Sequence, residues 1–164
     1  MREILCNDVW EMEDEIVKKY NRYKTLIYQL AIFYTGNVSD SEDIIQESLI
    51  RLCYHAPKFE SEEDEKRWLV RVTINLCKNY RKSFWNRNKV SMDELEHLFT
   101  KKEEVSIMSE IIQLPEKYKT VLLLHYIYGY KIKEISALIG ISESAVKMRS
   151  QRGKERLKVI LEVE

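Results

Sequence analysis

The side chains with the most reactive chemistry are scattered. His55, His97 and His125 fall in three separate segments, with no H-E-x-x-H pair, no phosphate-binding glycine loop and no dinucleotide fingerprint. No nucleophile has a visible base partner. Cys6, Cys53 and Cys77 are an odd number without a C-x-x-C pair, so neither a disulfide framework nor a zinc site is expected. The chain is accordingly not expected to be an enzyme, nor to hold a metal, a cofactor or a small-molecule substrate. The residues that do recur at a useful spacing are amides and cations. Arg71, Asn75, Lys78, Asn79 and Lys82 share one helical stripe at about 100° per residue. An amide offers a base edge both a donor and an acceptor, while arginine and lysine hold the phosphate backbone. Near the C-terminal end, Ser144, Lys147, Met148, Gln151 and Arg152 form a second outward stripe. Glutamine and arginine suit base edges in a major groove and methionine suits a thymine methyl, with Lys147, Arg149 and Lys154 placed for phosphates. Taken singly, each stripe also fits an ordinary solvated face.

These stripes need long helices, and the composition supplies them. Of 164 residues, 45% are apolar and 33% charged, with only four glycines and two prolines. That is globular and too poor in turn formers for a sandwich or barrel. Apolar residues recur at Val9, Met12, Ile16, Tyr20, Tyr23, Ile27, Leu30 and Tyr34, the spacing of an amphipathic helix ending near Gly36. Ser39 offers an N-cap to a second helix that Pro57 stops. A third helix is expected from about Asp64 to Phe84. Trp68 lies near its polar side, where it fits either a stacked base or, more commonly, the core. The stretch from Asn86 to Glu104 has no sustained period and reads as a linker. Pro115 then opens a buried helix ending near Gly129. A short amphipathic helix follows and stops at Gly140, and Ser142 can cap a final basic helix. Two helices joined by a tight glycine turn make a helix-turn-helix. Val146, Gly153, Leu157 and Ile160 face inward on the last helix, and Ala145 and Gly153 are small enough for close backbone approach.

Lysine plus arginine and aspartate plus glutamate both total 27, so no bulk charge announces nucleic acid. The balance hides segregation. From Asp40 to Glu65 there are nine acids against Arg51 and Lys58, and from Lys66 to Lys89 eight basic residues and no acid. From Asp93 to Glu116 there are seven acids against two lysines, and from Ser144 to Lys158 six basic residues against Glu155. A single charge run commonly just solvates a face. Two basic helices, each preceded by an acidic stretch, suit phosphate contact by one element and a different partner for the other. No apolar run approaches the roughly 20 residues of a membrane span, and the N-terminus has no apolar signal core, so a cytoplasmic protein is expected.

With these motifs in order, the chain resembles a bacterial RNA polymerase sigma factor of the extracytoplasmic-function (ECF) group, within the sigma-70 family. Three stretches carry the resemblance: Asp43 to Leu52 (DIIQESLIRL), Trp68 to Tyr80 (WLVRVTINLCKNY), and Leu114-Pro115 with Gly140 to Arg149 (GISESAVKMR). The resemblance implies an all-α fold of two small helical domains: a region 2 bundle over residues 8–85 and a region 4 helix-turn-helix over 105–162, joined by a flexible linker at 86–104. It implies that Asp43, Gln46 and Glu47 dock on the clamp of the largest subunit of RNA polymerase core, with region 4 on the flap of the second subunit. Promoter DNA is the other implied partner. Lys58, Phe59, Arg71, Asn75, Lys78, Asn79 and Lys82 would contact the −10 element, with the loop from Ala56 to Ser61 as the pocket for a flipped base. Ser144, Lys147, Met148, Arg149, Gln151 and Arg152 would meet the −35 element. An anti-sigma factor is implied as a further partner. The competing reading is a stand-alone helix-turn-helix regulator; it needs a dimer surface, and the chain offers no heptad seam.

Overall fold

The computed structural model describes residues 2–36, 38–81 and 102–162. The chain divides into two compact units, Met1–Arg87 and Asn88–Glu164, and every regular element among the described residues is helical.

The first unit packs α1 (Arg2–Thr35) against α2 (Val38–Tyr54) and α3 (Glu62–Arg81). The apolar stripe of α1 is engaged only in its second half. Met12 and Tyr20 are exposed, whereas Tyr23 and Ile27 are buried, and from Leu30 to Tyr34 five consecutive residues are buried. Five neighbours span more than a full turn, so that end of the helix is enclosed on all sides. A continuous periodic pattern thus overstates the buried length, because periodicity marks a face and not what covers it. The side chain of Val9 lies outside the described residues.

Gly36, at φ +62°, turns the chain from α1 into α2, and its N–H donates to the Ile32 carbonyl. Because α2 already begins at Val38, Ser39 sits inside the first turn and is not the cap that the sequence suggests. The other end agrees with expectation, since α2 stops at Tyr54, just ahead of Pro57. α3 starts two residues before the expected Asp64 because Ser61 caps it: its Oγ accepts the Asp64 N–H at 3.2 Å and donates to the Asp64 carboxylate at 2.8 Å. Four acids, Glu62 to Glu65, then occupy the first turn, where the helix dipole favours them. The expected end at Phe84 lies outside the described residues. Where α2 and α3 cross, the Thr73 hydroxyl donates to the Leu69 carbonyl at 2.8 Å and lies 3.2 Å from the buried Ser48 hydroxyl.

The second unit contains α4 (Lys102–Gln113), α5 (Glu116–Leu122) continued by a π-helical turn (Leu123–Ile127), α6 (Ile132–Ile139) and α7 (Glu143–Glu162). Pro115 sits one residue ahead of α5, and its carbonyl accepts the N–H groups of Tyr118 and Lys119. The helix expected to run on to Gly129 widens in its last turn, where the Tyr128 N–H reaches back to the Leu123 carbonyl. Gly129 then reverses the chain at φ +70°. α6 opens with the Glu134 carboxylate accepting the Lys131 N–H at 2.8 Å and closes at Gly140, in the left-handed conformation at φ 70°, ψ 38°. Ser142 Oγ accepts the Ala145 N–H at 3.2 Å, so it caps α7 as its sequence position suggests. A Cβ on Gly153 would lie 3.0 Å from Leu122 Cδ1 and 3.3 Å from Tyr118 Cβ, which is the close approach of α7 to α5 that a glycine there permits.

Candidate DNA-binding and docking surfaces

In the first unit α1, the loop after α2 and the start of α3 enclose an open cleft of about 610 Å³, bordered by Lys19, Arg22, Lys58, Phe59 and Glu65 among others. Phe59 is half-buried and meets Trp68 edge-on, with ring centroids 5.8 Å apart and planes at 62°. Both rings pack on the cluster of Tyr23, Ile27, Leu52 and Leu69. Trp68 therefore follows the packing reading, and Phe59 forms a firm apolar wall. Lys58, on the same loop, is exposed.

A buried carboxylate fixes the wall opposite. Glu65 accepts the Tyr23 hydroxyl at 2.8 Å and has Lys19 Nζ at 3.4 Å and Arg22 Nη1 at 3.9 Å. Arg22 also reaches Glu62 at 3.6 Å. Burial and the Glu65 bond push the Tyr23 phenol up to about 12. Burial would lower Lys19, but Glu15 and Glu65 outweigh it and hold the ammonium above its ordinary value. Burial also raises the Cys53 thiol at the cleft edge, which keeps it protonated and a poor nucleophile. Sequence reasoning counted Glu65 as one of an acidic run. No local signal separates it from its neighbours, because its partners lie more than forty positions upstream in the chain.

Arg71, Asn75 and Asn79 are exposed along one face of α3, and Lys78 beside them is half-buried. Lys82 lies outside the described residues. Leu69, Val70, Thr73, Ile74 and Cys77 on the opposite side are buried. On α2, Asp43 and Gln46 are exposed and Glu47 is half-buried and paired to Arg51 at 2.7 Å. The Tyr80 hydroxyl of α3 lies 3.2 Å from carboxylate oxygens of both Asp43 and Asp40. Burial and these two acids raise the Tyr80 phenol, so it stays a donor. The stripe continues into Ile50 and Tyr54, 48% and 62% exposed, which the sequence reading did not single out. Their signal was the same three-four spacing onward from Asp43 and Glu47. An acid-led stripe ending in exposed apolar groups has the chemistry of a protein-docking face.

In the second unit Val146 and Gly153 of α7 are buried and Leu157 is half-buried, while Ser144, Lys147, Met148, Gln151 and Arg152 are exposed and Arg149 is half-buried. The side chain of Ile160 lies outside the described residues. The outward stripe expected for a groove-reading helix is thus assembled on the second helix of a helix-turn-helix, with Gln151 Nε2 donating to Glu155 at 3.1 Å. Among the described residues no cluster of three histidine, cysteine or acidic side chains could hold a metal ion, and no helix is long and apolar enough to cross a membrane.

Two family models match in the order of the two units: sigma-70 region 2 over residues 20–87 and sigma-70 region 4 over residues 104–157. The chain is 30% identical over 155 residues to the ECF RNA polymerase sigma factor SigW of Bacillus subtilis, covering 83% of each protein. It is also 30% identical over 162 residues to RNA polymerase sigma factor SigZ of the same organism, covering 94% of this chain and 86% of that one. Among solved structures, the sigma factor RpoE of Bartonella quintana, in complex with the anti-sigma factor NepR, matches with a TM-score of 0.70 at 17% identity. That alignment covers 92% of this chain and 98% of that one, and at such identity the likeness is one of fold. Family models in each unit and two relatives at 30% identity, matched over more than four-fifths of their length, lead to one conclusion: this chain is a member of the ECF group of RNA polymerase sigma factors.

Proposed function

We propose how the chain divides the work of directing transcription initiation. The α2 face of Asp43, Gln46 and Glu47 docks on the clamp of the largest polymerase subunit. The α3 face of Arg71, Asn75, Lys78 and Asn79, extended by Lys82 and by the loop residues Lys58 and Phe59, engages the −10 element, and the cleft beside Phe59 receives an unstacked base. α7 contacts the −35 duplex through Ser144, Lys147, Met148, Arg149, Gln151 and Arg152, and the unit that carries it docks on the flap of the second subunit. Residues 8–85 and 105–162 are the two working domains, with 86–104 as the tether. The chain works in the cytoplasm, by binding and not by catalysis. RpoE was solved with an anti-sigma factor, and the same class of partner is proposed here.

One observation carries this division: a single small unit exposes an acidic stripe on α2 and an amide-and-cation stripe on α3, two surfaces of opposite chemistry. A stand-alone duplex-binding regulator has no use for the first. Net charge near zero also gives weak DNA binding by the free chain, since non-specific affinity scales with phosphates neutralised. Tethering to polymerase restores it through effective concentration.

The test is co-elution with purified core polymerase, comparing wild type with Asp43→Ala/Glu47→Ala. Both side chains reach the surface, so folding stability should change by no more than about 1 kcal/mol. Weakened co-elution of a folded variant is the expected result. Undiminished core binding would overturn the docking assignment, and no binding by wild type would overturn the division as a whole.

A further inference from the structure

Around α7 the cations are sorted. At about 100° per residue, Ser144, Met148 and Gln151 form a central ridge that is uncharged as far as Gln151, after which Glu155 continues it as the carboxylate that Gln151 bonds. Lys147 and Lys154 run along one flank, and Arg149, Arg152 and Arg156 along the other. Each flank leans on a tyrosine of the preceding helical segment. Lys154 Nζ lies 5.9 Å from the centre of the Tyr126 ring, and Arg156 Cζ lies 5.3 Å from that of Tyr118. On the arginine flank α5 contributes a further cation from outside the helix-turn-helix, Lys117, whose Nζ is 5.0 Å from the same Tyr118 ring.

Tyr118 is only 4% exposed and packs against Gly153, so it is a fixed floor. Lys117 and Arg156 meet its ring face from solvent, exposed Arg152 lies one turn before Arg156 on the same flank, and among the described residues none of the three is in an ion pair. Burial alone would raise the phenol; instead Lys117, Arg152 and Arg156 pull it below its ordinary value, which registers how concentrated the positive field is. Cation–π contact by Lys117 and Arg156 offsets part of the repulsion on this flank, and an anion would offset the rest. The ring face also orders the long side chains before any ligand arrives, which lowers the entropic cost of binding.

We propose that Lys117, Arg152 and Arg156 form a phosphate seat that grips one strand of the DNA backbone beside the major groove entered by α7. The proposal rests on the reading of α7 as the −35 helix. A helix with its side chains is about 10–12 Å across and the major groove is about 12 Å wide. The central ridge therefore meets the bases while the two flanks meet the phosphate walls. Arg152 becomes a backbone contact in this arrangement and not a base reader, and Lys117 and Arg156 join the interface without carrying sequence information.

The experiment uses holoenzyme reconstituted from core polymerase and the full chain, with a promoter fragment that this holoenzyme selects from random duplexes. Affinity is measured across roughly 50–200 mM salt for wild type, Lys117→Ala, Arg156→Ala, the double variant and Arg156→Lys. Each alanine should lower the steepness of the log–log salt dependence by about 0.9, and the double by about 1.8. The loss should be equal on fragments with the selected and with a scrambled −35 sequence, and Arg156→Lys should keep the wild-type slope. Unchanged slopes in folded variants would overturn the seat. So would a loss confined to the selected sequence, which marks base reading. Reduced transcription in cells with an unchanged slope in purified holoenzyme would also overturn it, and would assign the patch to an acidic protein. If wild-type holoenzyme does not distinguish the selected from the scrambled −35 sequence, the reading of α7 itself fails.

Discussion

Tyr23→Phe isolates the buried network behind the cleft. The substitution keeps the ring among Ile27, Leu52 and Leu69 and removes only the hydroxyl that donates to Glu65 at 2.8 Å. A hydrogen bond to a buried charged group contributes about 1.5–3 kcal/mol. Lys19 and Arg22 still hold the carboxylate, which places the cost at the lower end, about 1.5 kcal/mol. At about 4–8 °C per kcal/mol for a domain of this size, the first unit should melt roughly 6–12 °C lower. All three tryptophans, Trp10, Trp68 and Trp85, belong to that unit, so tryptophan fluorescence follows it alone. The phenol adds a second signature. Its pKa rises from 10.0 in the free side chain to about 12 in the fold. Folding thus favours the protonated form, a stabilisation complete below pH 10 and lost as pH climbs through about 12. That rise corresponds to at most about 2.7 kcal/mol, less where water on the cleft side screens the group, and about half is gone by pH 11. Phenylalanine has no proton to lose, so the gap between the two proteins should close near pH 11. Urea melts at pH 7.5 and pH 11 measure both terms. Equal stability at pH 7.5, or a gap that persists unchanged at pH 11, would refute the assignment of the hydroxyl to Glu65.

Three further changes probe the second unit. Gly140→Ala forces a side chain into the left-handed turn at φ +70° and should cost about 1–2 kcal/mol, visible as faster amide exchange in α6 and α7 of the full chain. Ser142→Ala removes the acceptor for the Ala145 N–H and should cost about 1 kcal/mol, with Ser142→Asp restoring it; the same exchange measurement reads both. At Gly153 two effects oppose: alanine gains about 1 kcal/mol of helix propensity but brings a Cβ to 3.0 Å from Leu122. Gly153→Ala should therefore stay within about 1 kcal/mol of wild type, and Gly153→Val, bulkier and β-branched, should lose more than 2 kcal/mol in thermal melts.

Sequence made legible whatever depended on neighbours close in the chain. The turn at Gly140, the cap at Ser142 and the outward ridge of α7 follow from a few adjacent residues, and the structure places them as expected. The exposed stripe of Arg71, Asn75 and Asn79 follows from helical period alone. Errors arose where a distant element decided the outcome. Met12 and Tyr20 carry the right period and remain uncovered, because nothing in the period of α1 says how far α2 and α3 extend along it. Ser39 lost its capping position because, after the turn at Gly36, α2 begins one residue ahead of it at Val38. The role of Glu65 was invisible because Tyr23, Lys19 and Arg22 come from α1. Lys117 carries no local signal, since the Tyr118 ring it lies over is shared with Arg156, which comes from α7.

The acidic block from Asp40 to Glu65 shows why net charge is a poor guide to the surface. Nine acids suggest one strongly negative patch, yet the fold assigns several of them elsewhere. Glu65 is buried beneath Lys19 and Arg22; Glu62 leans on Arg22, Glu63 on Arg67 and Glu47 on Arg51. Asp64 folds back on its own helix cap, and Asp40 is buried against Tyr80. Glu42 and Glu60 stay exposed outside the stripe, and the stripe proposed for docking is left with Asp43, Gln46 and the outer edge of Glu47, followed by Ile50 and Tyr54. Long-range attraction from so few charges is modest and falls with salt, so apolar contact at the far end of the stripe must add to what Asp43 and Glu47 supply at close range. If α2 docks as proposed, that docking should tolerate salt that abolishes the phosphate contacts proposed for α3 and α7. That difference is useful to a factor that must stay on its enzyme while its grip on DNA is made and released.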